Sequence, residues 1–103
     1  MSEIAKVIFD KYCIHYDGEV QGCCALIADE IQRAMGGDVV GGYIVFLGSN
    51  RRSHWWVEKD GQVIDPMSEH QFAPEDYAEH EEAHRDRNIF ERILPLYEQW
   101  RLP

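Results

Sequence analysis

The amino-acid sequence predicts one α+β domain, in which a helix packs on a small antiparallel sheet and C-terminal helices cover it. Three segments carry this expectation. Residues 24–35 place Leu26, Ile27, Ile31, Ala34 and Met35 at helical intervals and end at Gly36-Gly37, a ready C-terminal stop. Residues 39–48 (VVGGYIVFLG) are rich in β-branched and aromatic side chains and run into the turn-like GSNRR, the pattern of a buried strand. Residues 53–67 (SHWWVEKDGQVIDPM) hold Asp60-Gly61 between two apolar runs, the strongest short-range sign of a tight hairpin.

The remaining elements follow in order. Residues 3–13 carry Ile4, Val7, Ile8 and Tyr12 at a spacing that predicts a short amphipathic helix, and HYDGEVQG supplies the polar, glycine-containing loop to the next one. With Asp60 and Gly61 at the hairpin tip, Val57 faces Ile64, Trp56 faces Asp65 and His54 faces Met67. Strict alternation then sets Trp55, Val57 and Ile64 on the core side of the sheet and His54, Trp56 and Asp65 on the other. The expected strands are 39–47, 53–59 and 62–66. Beyond Pro66, APEDYAEHEEAHRDR predicts a solvated helix and NIFERILPLYEQW a more apolar one interrupted at Pro95.

Composition narrows the classes of function. The 103 residues, 45% of them hydrophobic, suit a single globular domain spanning 1–103. Ten basic against nineteen acidic residues give a formal charge of -9, which repels phosphate backbones and anionic lipid surfaces. Nucleic acid is therefore not an expected partner. No apolar run has the roughly 18 residues needed to span a bilayer, and no basic-then-apolar leader opens the chain, so a cytoplasmic protein is expected. The three cysteines, Cys13, Cys23 and Cys24, are odd in number and include an adjacent pair, which fits a reducing compartment better than a disulfide framework.

The chemistry-bearing pattern begins at Cys24. A thiol is a strong nucleophile as thiolate, a form favoured at a helix N-terminus and beside an imidazolium. Cys24 opens the clearest helix in the chain, where its own N–H is also placed to donate to an oxyanion. The hairpin supplies the base: His54 and Asp65 are diagonal neighbours on one sheet face, roughly 7–8 Å apart along the backbone and within reach of their side chains. Asp65 then orients the imidazole, the division of labour of a nucleophile, base and orienter triad.

Gly22-Cys23-Cys24-Ala25-Leu26-Ile27-Ala28, Val39-Val40-Gly41-Gly42-Tyr43, His54-Trp55-Trp56-Val57-Glu58 and Val63-Ile64-Asp65-Pro66 together resemble the transglutaminase-like branch of the papain-like superfamily. The resemblance covers about residues 20–67. It implies a papain-like/transglutaminase-core fold, with Cys24 rather than Cys23 as nucleophile, because the alanine four residues on falls at Ala28. It also implies a thiol hydrolase or acyl transferase, peptidase-like, deamidating or transglutaminase-like, that works on peptide or protein amides through a thioester without a cofactor or metal. Many relatives carry an oxyanion-stabilising tryptophan ahead of the cysteine. Here Gln21 or Tyr16 stands in its place, with Cys23 and Trp56 completing the surroundings of the cleft.

Two other readings compete. A catalytically inactive member of the same fold would serve as a protein-binding module. His80-Glu81-Glu82-Ala83-His84 matches the HExxH pattern of zinc peptidases, but its helix is charged all round, which points to a solvated face without metal. The small size permits a monomer, and a sheet edge or the apolar residues of 89–100 would support a weak homodimer.

Overall fold

The computed structural model describes residues 3–19, 23–46, 50–66, 77–78 and 87–103. Helix α1 spans Glu3–His15 and α2 spans Cys24–Met35. Strands β1 (Asp38–Phe46), β2 (Asn50–Lys59), β3 (Gln62–Ile64) and β4 (Tyr77–Ala78) precede α3 (Arg87–Ile93) and two 3-10 turns at Leu94–Leu96 and Glu98–Trp100. The strands form one antiparallel sheet in the order β3-β2-β1-β4. The architecture is a small α+β fold. Among the described residues no helix is long and apolar enough to cross a membrane.

The hairpin turns where its sequence requires. Asp60 (φ 52) and Gly61 (φ 76) both take the left-handed backbone that a two-residue turn of the primed type demands, and Val57 pairs with Ile64. This register divides the tryptophans between the two sheet faces. Trp55 and Val57, with Val39 of β1, pack against the apolar side of α2, where Leu26, Ile27 and Ile31 are buried. Each of those three side chains contributes roughly 1.5–3 kcal/mol by leaving water. Gly41, paired with Trp55, carries the indole directly over its backbone: a Cβ there would lie 2.5 Å from the ring. The other side of the same indole meets Phe90 of α3, with ring centroids 5.0 Å apart.

Two expectations change, and one at the C-terminal helix holds. Helix α1 buries Ala5, Phe9 and Tyr12 and leaves Ile4 and Val7 exposed, so its inward stripe is rotated from the Ile4-Val7-Ile8-Tyr12 face. Both stripes have helical spacing. They share Tyr12, which donates its hydroxyl proton to Glu30 of α2 and accepts from the Leu102 N–H at 3.3 Å, and the observed one adds Phe9 to the core. The helix expected over 73–87 is interrupted at Tyr77–Ala78, which pair with Tyr43 and Ile44 as β4; the rest of that segment up to residue 86, including His80 and His84, lies outside the described residues. The C-terminal helix is interrupted at Pro95 as expected: α3 ends at Ile93, and Pro95, with no N–H to donate, sits inside a 3-10 turn over Leu94–Leu96.

The chain end is strapped across the helix pair. Tyr16 donates to the Trp100 carbonyl at 2.8 Å, and Arg101 donates to Asp29 at 2.8 Å and to Glu98 at 2.7 Å. Asp29 is fully buried on α2, and Arg33 approaches the same oxygen at 3.0 Å. These contacts fix the helix whose first residue is Cys24.

Candidate active site

Three elements converge at the N-terminus of α2. Cys23 is the residue before the helix and contributes no side-chain cap, so the first helical N–H groups are left to other acceptors. Its thiol is buried in the core, and that burial, with the neighbouring Cys24, pushes it above the ordinary thiol range. A thiol held in its protonated form is a packing group rather than a nucleophile. Cys24 is half-buried and lines one narrow gap with His54, near enough to raise the affinity of the imidazole for a proton.

His54 projects from β2 and Asp65 follows the end of β3. The Nε2 of His54 and the Oδ2 of Asp65 are 2.6 Å apart, and both side chains are almost fully enclosed. Pro66, itself buried, restricts the backbone immediately after the carboxylate. With Nε2 taken by Asp65, the ring nitrogen left for the thiol is Nδ1. Burial alone would pull the imidazole pKa down, but the hydrogen bonds and charges of Asp65 and Cys24 outweigh it and raise the value to about 9. The imidazole therefore holds its proton at neutral pH.

Trp56 lies two residues along β2 on the same face. Its ring centroid is 6.1 Å from that of His54 with the planes 22° apart, and its Nε1–H donates to Glu58 at 3.0 Å. Cys24, Ile27, Ala28 and Ile31 of α2 line this narrow gap with His54, Trp55, Trp56, Ile64 and Asp65.

The structure thus brings Cys24, His54, Asp65 and Trp56 together. Tyr16 is engaged elsewhere, its hydroxyl proton directed at the Trp100 carbonyl, and Gln21 lies outside the described residues. Sequence reasoning missed Glu58 as the partner of Trp56. Alternation already put residues 54, 56 and 58 on one face, so that signal was present. Among the described residues no group of three His, Cys, Asp or Glu side chains is arranged to hold a metal ion.

No family model matches the chain, and neither a curated protein nor a solved structure shows significant similarity to it.

Proposed function

We propose that the chain is a cysteine-dependent amide hydrolase or acyl transferase with a papain-like, transglutaminase-like core. The observation that carries this reading is the 2.6 Å contact of His54 with the buried Asp65 in the same gap that Cys24 lines at the start of α2. A thiol at the start of a helix, beside an imidazole that a buried carboxylate holds by one nitrogen, has the parts that nucleophilic acyl transfer needs.

In the proposed reaction Nδ1 of His54 holds the proton taken from Cys24, and the thiolate attacks an amide carbonyl carbon. A C–S bond forms and the carbonyl electron pair moves to oxygen, where the Cys24 N–H at the start of α2 is the proposed donor. The oxyanion collapses, the C–N bond breaks, and the imidazolium returns its proton to the leaving amine. Water completes hydrolysis of the thioester; an amine completes a transfer. In either case the attacking group loses a proton to His54, which restores the thiol.

The three cysteines are free thiols, as a reducing compartment such as the cytoplasm would keep them, and the proposed location is cytoplasmic. The proposed partner is a peptide or protein amide.

Iodoacetamide at pH 6, followed by peptide mapping, tests the reading. Cys24 should be alkylated faster than Cys13, also half-buried, and His54→Ala should remove the difference. A p-nitrophenyl ester should leave an acyl group on Cys24 that hydroxylamine releases. Equal labelling of the two thiols, indifferent to His54 and with no acyl adduct, would overturn the proposal.

A further inference from the structure

A hydrogen bond at Nε2 fixes one end of an imidazole but does not by itself fix the plane of the ring. His54 is anchored in this way by Asp65, and the direction of Nδ1 toward Cys24 depends on what limits rotation about the side-chain axis. The face of His54 is met by Trp56, whose indole lies nearly parallel to it at 6.1 Å. That indole is itself fixed. It is 1% exposed, stands opposite the buried Val40 of β1, and donates its N–H to Glu58 at 3.0 Å. Three alternate positions of one strand, His54, Trp56 and Glu58, therefore form a connected row on one sheet face.

We infer that Trp56, anchored by Glu58, is a positioning residue for His54, holding the imidazole plane so that Nδ1 faces the Cys24 sulfur while Nε2 stays on Asp65. The inference rests on the catalytic reading of Cys24 and His54 and extends it to two residues that touch no reacting atom. The electron-rich face of an indole attracts an imidazolium, and a carboxylate accepting from the indole N–H increases that electron density. The pair thus favours the protonated, correctly aligned ring.

The His54 titration, followed by NMR in the full chain, and the rate of Cys24 alkylation between pH 6 and 9 test this together. Trp56→Leu should lower the His54 midpoint and slow alkylation roughly tenfold, within the range of a desolvated cation–π contact. Trp56→Phe, which keeps a ring but loses the N–H, should fall between. Glu58→Ala should move both readouts in the same direction by a smaller factor, and because Glu58 is only half-buried it decides the matter if Trp56→Leu does not fold. Unchanged midpoints and rates in folded Trp56→Phe and Glu58→Ala would overturn the inference while leaving a reactive Cys24 intact. A midpoint that moves in a chain whose Cys24 is unreactive would instead support the positioning role and remove the catalytic reading.

Discussion

The Nε2 of His54 lies 2.6 Å from the Oδ2 of Asp65, and neither side chain has more than a small fraction of its surface in water. A buried carboxylate on one nitrogen and a thiol nearby raise the affinity of the ring for a proton. Asp65→Asn keeps an oxygen that accepts from Nε2–H but removes the charge. The His54 midpoint should then fall from about 9 toward 6.5, and alkylation of Cys24 at pH 6 should slow. NMR titration and the alkylation rate check this, and an unmoved midpoint would mean that Asp65 is not what raises it.

The same pair links stability to pH. The folded-state pKa of His54, about 9, stands above its unfolded value of 6.5, so protonation favours the folded chain. The stabilisation is fully present below pH 6.5 and is lost as pH rises through 9. At about 1.4 kcal/mol per pH unit, roughly 3 kcal/mol is at stake. Urea midpoints at pH 6, 7.5 and 9.5 should decline for the parent chain and decline much less for His54→Asn, in which no imidazole titrates.

The hairpin and α2 were legible because local rules fixed them. Asp60-Gly61 set the turn, the turn set the register, and the register sent Trp55 to the core and Trp56 to the face of His54. Helix α2 begins at Cys24 and ends at Met35, as its apolar spacing and the following glycines indicate. What sequence could not decide was long-range. Tyr12 belongs to both apolar stripes of α1, and its partners, Glu30 and the Leu102 N–H, lie on another helix and near residue 103, where no local pattern announces them. The pairing of Tyr77–Ala78 with β1 gives two residues of an acidic segment a strand partner that no local pattern announces.

Gly41 shows how tightly the core side of the sheet is fitted. Its missing Cβ is the space filled by the Trp55 ring, and that ring cannot swing outward freely because Phe90 lies against it. Gly41→Ala should destabilise the fold by about 2 kcal/mol, the usual cost of overpacking. The urea midpoint measures it. Gly61→Ala, with open space around the added methyl but φ at 76, separates a backbone cost from a packing one, because its loss should persist when Trp55 is reduced to leucine whereas that of Gly41→Ala should not.

Arg101 connects the end of the chain to the interior of α2. Its Nη2 reaches the buried Oδ2 of Asp29 at 2.8 Å, while Glu98 holds the same guanidinium from the solvent side at 2.7 Å. Removing one partner of a buried ion pair leaves an uncompensated charge, and Arg33 at 3.0 Å offsets part of that. Arg101→Met should therefore cost about 2 kcal/mol, less than the complete loss of a buried partner. Glu98→Gln removes only an exposed charge and should leave the urea midpoint within error. If the two substitutions prove equal, Asp29 is satisfied without the C-terminal strap. If Arg101→Met lowers stability but leaves Cys24 alkylation in the folded chain unchanged, the strap stabilises α2 without adjusting the thiol at its other end.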